Sequence, residues 1–147
     1  AAQIEAGADC ILMADHATRD LCGPHMYEQY LVPLHRRLAE EIKAPVILHI
    51  CGNTSDRIGM IAQTGLACFH WDTKTGSPVE VRRLAGPRLA LMGGISNYKL
   101  LRAAPDEIAA DSDAAARAGI DVIGPECAIP LATPLANLLA IVPIKRQ

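Results

Sequence analysis

The sequence predicts an α/β fold: about five parallel βα units making up the C-terminal portion of a (β/α)8 barrel. Three observations carry this expectation. Five short apolar runs, "ADCILMAD", "PVILHIC", "LACFHWD", "RLALMGGI" and "IDVIGPEC", have strand length, and most are apolar continuously, as strands buried on both faces are. The segments between them show helical periodicity, so strands recur at intervals of about 20–35 residues, the spacing of parallel crossover units. Polar residues collect where the runs end: Asp15 and His16, then His49 and Cys51, then Asp72, then Cys127. Loops after barrel strands converge on one face, and barrel active sites are built there. No G-x-G-x-x-G follows any run, which weakens the dinucleotide-binding form of an open doubly wound sheet. Five units fall short of eight, so the first strands are expected to be absent, with residues 1–147 forming a single domain.

The elements follow in order. "AAQIEAGADC" reads as the middle of a helix with no initiator methionine, the mark of a fragment or a processed chain. The first connecting helix carries Tyr27, Tyr30, Leu31, Leu34, Leu38 and Ile42 at spacings of three and four, an apolar stripe for one face of a sheet. Pro33 lies inside it and should kink it, lacking an amide donor and crowding the preceding turn. Asp56 is placed to cap a helix through Ile58 and Ile61 that stops at Gly65. In "SPVEVRRLAG", Ser77 is the N-cap, Pro78 the first helical residue and Glu80 the partner in a capping box. A further helix starts at Pro105 and ends at Gly119, and the last begins at Thr133-Pro134.

Half the residues are hydrophobic and a fifth charged, a globular composition. A net charge of −2 and an aromatic content of 3% speak against nucleic acid or anionic membrane as partner. No apolar run is long enough to span a bilayer. The five cysteines, Cys10, Cys22, Cys51, Cys68 and Cys127, are odd in number and follow no signal peptide. Reduced thiols in a cytoplasmic setting are therefore expected.

Residues i and i+2 of a strand point the same way, so His49 and Cys51 aim into one space. Imidazole nitrogen with thiolate sulfur suits Zn2+, and Cys127 at another strand end supplies a third ligand if the sheet curves. Three protein ligands leave a coordination position open, as in catalytic zinc sites. Two thiolates and a neutral imidazole bring the bound ion to zero formal charge. The competing reading is packing: a buried cysteine is usually a small hydrophobe, the role expected of Cys10, Cys22 and Cys68. His16, His25, His35 and His70 have no partner at ligand spacing and are read as surface groups or as groups behind the ligands.

"LHICGN" together with "GPECAIPLATPLANLLAIV" resembles the uroporphyrinogen decarboxylase superfamily, and within it the methylcobamide:coenzyme M methyltransferase branch. "AGADCILMAD", "GPHMYEQYLVPLHRRL" and "APDEIAADSDAAARAGIDVI" also look like that family's C-terminal half. The resemblance implies a (β/α)8 barrel with an H-x-C…C zinc signature matched by His49, Cys51 and Cys127. It implies transfer of a methyl group from a methylated corrinoid, carried by a separate corrinoid protein, to a zinc-activated thiol such as coenzyme M. Asp72 in "HWDTKTG" best matches an acidic group that is either a further zinc ligand or a helix cap. Asn53 either orients the thiol or makes the Gly-Asn turn. Asp15 is a substrate contact or a group behind the ligands. The turn before the last helix departs from the branch, with Glu126 and Ala128 of "PECA" replacing glycines of "PGCG". The runner-up within the superfamily is a metal-free decarboxylase of a tetrapyrrole, which the thiols disfavour.

Overall fold

Residues 2–141 are described by the computed structural model. Five strands form one sheet in the order β1 (Ile11–Asp15), β2 (Val46–Ile50), β3 (Cys68–Trp71), β4 (Ala90–Ile95) and β5 (Val122–Pro125). Every neighbouring pair is parallel. Strands laid down in sequence order, without a reversal, make the wall of a (β/α)8 barrel; a doubly wound sheet reverses at a switch point. The helices are α1 (Ala2–Glu5), α2 (Pro24–Met26), α3 (Val32–Glu41), α4 (Ile58–Ile61), α5 (Pro78–Ala85), α6 (Asn97–Arg102), α7 (Pro105–Arg117) and α8 (Leu135–Leu139). Among the described residues no helix is long and apolar enough to cross a membrane.

The core forms where the helices meet the sheet. Leu48, Ile50, Phe69, Trp71 and Leu91 from the strands pack with Tyr27, Ile58, Ile61 and Val81, all fully buried. Each large apolar side chain so buried contributes on the order of 1.5–3 kcal/mol. A smaller cluster, Ile95, Leu100 and Ile108, fixes α6 and α7 near the end of β4. Continuous burial holds for β3 and, apart from Ile47, for β2, whereas the third interior strand, β4, alternates buried with half-buried positions. In β1 half-buried and exposed positions alternate, with Leu12 58% exposed, and Val122 at the start of β5 is 47% exposed.

Local structure differs from expectation at three places. The helical backbone that carries Pro33 is unbroken but not regular: a π-helical turn over Tyr27–Leu31 leads into α3, which has the proline in its first turn. The wider turn rephases the buried stripe. Tyr27, Leu31, His35 and Leu38 face inward, whereas Tyr30 and Leu34 are 55% and 48% exposed. Asp56 does not cap α4; its carboxylate accepts from the Arg57 guanidinium at 2.9 and 3.1 Å. Helix α6, too short to show a period, was not foreseen. The capping box of α5 is present, with the Ser77 amide donating to Glu80 and the Glu80 amide donating to Ser77 Oγ. Residue 1 of the opening segment and the tail of "TPLANLLAIV" lie outside the described residues.

Candidate metal centre

The pleat of β2 turns His49 into the barrel interior, and Cys51 follows one residue past the strand end. The chain then bends through Gly52 at φ +84°, where a Cβ would meet Thr18 Oγ1 at 2.8 Å. Only glycine fits that crossing. Curvature of the sheet brings Cys127, just beyond β5, back over the end of β2. Cys127 Sγ lies 3.1 Å from Cys51 Sγ, and Cys51 Sγ lies 3.0 Å from His49 Nε2. One potential ligand atom from each of the three residues falls within 4.8 Å of the others. Residues 76 positions apart are thus joined at one point.

The orientation of His49 is set from behind. Its Nδ1–H donates to the His70 carbonyl at 3.1 Å, which leaves the Nε2 lone pair directed at the sulfurs. The two imidazoles stand 4.4 Å apart between centroids. His70 Nε2–H in turn donates to the Pro125 carbonyl at 2.8 Å. Burial holds His70 below its ordinary pKa, favouring the neutral ring that this pattern requires. The Cys51 thiol is pushed up to about 11, by burial first and then by its bond to Cys127, the Cys127 charge and the charge of Asp72, against an opposing pull from Lys74. This direction favours the protonated thiol, so a metal that takes Cys51 as a thiolate has to displace its proton.

This donor set fits zinc. Nitrogen and two sulfurs are its preferred ligands, with bonds of about 2.0–2.1 Å and 2.3 Å, and the three atoms are close enough for one ion to reach them all.

The other candidates lie outside this cluster. Both oxygens of Asp72 are engaged: Oδ2 accepts from the Gly52 amide at 2.8 Å and Oδ1 from the Lys74 amide at 2.9 Å. The carboxylate caps a 3-10 turn and pins the loop after Cys51. Asn53 makes the turn, its Oδ1 accepting from the Ser55 amide and hydroxyl. Asp15 accepts from the Ala17 amide and pairs with His35 Nε2 at 3.2 Å, while His35 Nδ1 meets the Tyr27 hydroxyl at 3.0 Å. His35 and His70 are buried, whereas His16 and His25 are exposed. Cys68 packs in the core as expected, but Cys10 is exposed.

Sequence reasoning missed the residues that hold the loops around the sulfurs. Glu126 accepts from the Thr73 amide and hydroxyl and from the Asn97 amide. Arg57, fully buried, donates to the Ala17 and Cys22 carbonyls at 2.6 and 2.7 Å. Thr18 Oγ1 donates to the Asn53 carbonyl at 2.8 Å. The adjacency of Glu126 to Cys127 was the one signal available.

The family model for uroporphyrinogen decarboxylase (URO-D) matches residues 1–147, the whole chain. The chain belongs to the uroporphyrinogen decarboxylase family. Its similarity within that family runs to methyltransferases. It is 35% identical over 143 residues to the methylcobamide:CoM methyltransferase MtaA of Methanosarcina barkeri strain Fusaro, covering 96% of this chain and 42% of that protein. With the methylated-thiol–coenzyme M methyltransferase of Methanosarcina mazei it shares 34% identity over 139 residues, 92% of this chain and 37% of that one. The solved structure of a methyltransferase from Methanosarcina mazei superposes with a TM-score of 0.91 at 34% identity, over 95% of this chain and 42% of the other. This member of the uroporphyrinogen decarboxylase family thus spans about two-fifths of the length of the methyltransferases it matches, and its five-stranded sheet is part of their barrel.

Proposed function

We propose that the chain is part of the barrel of a zinc-dependent methyltransferase. The enzyme moves a methyl group from a methylated corrinoid, presented by a corrinoid protein, to a small thiol such as coenzyme M. The observation that carries this reading is the convergence of His49 Nε2, Cys51 Sγ and Cys127 Sγ within 4.8 Å. When bound there, zinc would supply a Lewis-acid position that lowers the pKa of an incoming thiol. The protein's own contribution is arrangement. His49 offers a fixed lone pair because His70 holds its other nitrogen. Cys51 and Cys127, as thiolates, would hold the ion and donate electron density to it, which would keep a third sulfur nucleophilic. All three stand at the strand ends on the mouth of the barrel wall, where a broad co-substrate can approach. The names of the relatives, methylcobamide:CoM methyltransferase among them, support the same assignment.

Metal analysis of the purified chain and of the Cys51→Ala and Cys127→Ala proteins tests it. The parent is expected to hold about one zinc per chain, and each variant to hold none while far-ultraviolet circular dichroism is kept. Stoichiometric zinc in Cys127→Ala would refute the ligand assignment. Transfer from free methylcobalamin to coenzyme M, followed by the visible spectrum, then tests the reaction.

A further inference from the structure

Glu126 is the residue immediately before Cys127, and among the described residues its carboxylate makes no ion pair. Its partners among the described residues are all neutral donors on two other segments. Oε1 accepts from the Asn97 amide at 2.7 Å, at the start of α6 just after β4. Oε2 accepts from the Thr73 amide at 3.0 Å and from the Thr73 hydroxyl, in the loop after β3. Its own amide donates to the Ile95 carbonyl at 2.8 Å at the end of β4. On the far side of Cys127, the Ala128 carbonyl accepts from Asn97 Nδ2 at 2.8 Å. The cysteine is therefore bracketed: the residue before it and the residue after it are both tied to neighbouring strand ends.

A carboxylate that accepts three hydrogen bonds, two of them from backbone amides, holds its segment more firmly than a neutral side chain can, because charge-assisted bonds are about twice as strong. Asp72 does the equivalent for the other sulfur, tying Gly52 to the start of the 3-10 turn. Thr73, which donates to Glu126, directly follows Asp72, so the two carboxylates link the Cys51 loop and the Cys127 loop through one short stretch of chain.

We propose that Glu126 is a positioning residue: it presets Cys127 against the His49–Cys51 pair, so that metal binding does not have to order the loop after β5. The proposal rests on the zinc reading above. Groups standing behind metal ligands typically carry 10–100-fold in metal affinity. Glu126→Gln keeps the size and one acceptor but turns an amide donor toward one of the donors on Thr73 or Asn97.

The test is zinc affinity of the full 147-residue chain, by competition with a chromophoric chelator, for the parent, Glu126→Gln and Thr73→Val. Cobalt(II) substitution is recorded alongside, since thiolate-to-cobalt absorption per bound ion reports how many sulfurs engage. Glu126→Gln is expected to bind about 10–100-fold more weakly, with reduced thiolate absorption per cobalt, while its metal-free circular dichroism matches the parent. Thr73→Val, which removes one donor and leaves both amides, is expected to fall between the two. Affinity within about twofold of the parent in Glu126→Gln, with unchanged cobalt absorption, overturns the proposal. So does a Glu126→Gln protein that loses its fold if Thr73→Val, still folded, binds as the parent does. A parent chain that takes up no zinc overturns the zinc reading itself, and this proposal with it.

Discussion

His35 shows how a buried titratable side chain ties stability to acidity. It is 2% exposed, and burial holds its pKa below the ordinary 6.5, outweighing the pull of Asp15 in the opposite direction. The unfolded chain then takes up a proton on this imidazole before the folded one does. Stability is therefore full above pH 6.5 and falls as the pH drops from there through the lowered folded value. Urea unfolding between pH 7.5 and 5, run on the parent and on His35→Gln, should show a steeper acid loss in the parent. Parallel pH profiles would dismiss the role of His35. At this scale the candidate site was partly legible. His49 and Cys51 could be paired because a strand's two-residue period is strict, and Cys127 because it stood at another strand end. Asp72 could not be resolved, since a cap and a ligand look alike until both oxygens are seen on amides. For His35 the surface alternative fails, because its partners, Asp15 and Tyr27, are brought to it by the fold and not by spacing.

Among the elements, the segment joining β1 to α3 departs most from its expected form. A period of 3.6 residues was extrapolated through Pro33, but the π-helical turn over Tyr27–Leu31 inserts extra chain and swings His35 inward in place of Leu34. No side-chain pattern announces such an insertion. The loop just upstream, residues 16–23, is held by Arg57 from α4's N-terminal edge. The Arg57 guanidinium reaches two of the loop's carbonyls and stands 4.8 Å from the centre of the Tyr27 ring. Replacing it with methionine keeps the buried stem and strands those carbonyls. Arg57→Met should cost on the order of 3 kcal/mol in urea unfolding and open the loop to limited proteolysis ahead of the rest. A loss below about 1 kcal/mol with an unchanged cleavage pattern would show that the clamp is dispensable.

Across the whole molecule, order of pairing sets order of protection. β3 is paired on both sides and buried at all four positions, and β2 is nearly so, whereas β1 and β5 each pair on one side among the described residues. Amide hydrogen exchange should be slowest in Leu48–Ile50 and Cys68–Trp71 and much faster in Ile11–Asp15. Equal protection of β1 and β3 would contradict this grading. The architecture was the most legible level of all, because five apolar runs recur at the spacing of parallel crossover units and their polar ends favour a barrel over a doubly wound sheet. What stayed illegible was the suturing between strand ends, by Glu126, Arg57 and Thr18, since those bonds depend on curvature rather than on any local pattern.

That curvature has a gauge. The backbone carbonyl of His70 meets His49 on β2, and the His70 ring reaches across the interior, past β4, to the Pro125 carbonyl on β5. One imidazole is thus the spacer between the strand that bears His49 and Cys51 and the strand that leads to Cys127. The His70 backbone holds the first of these strands and its ring the second. A side chain without a donor at that position would keep the bond to His49 and release the one to Pro125.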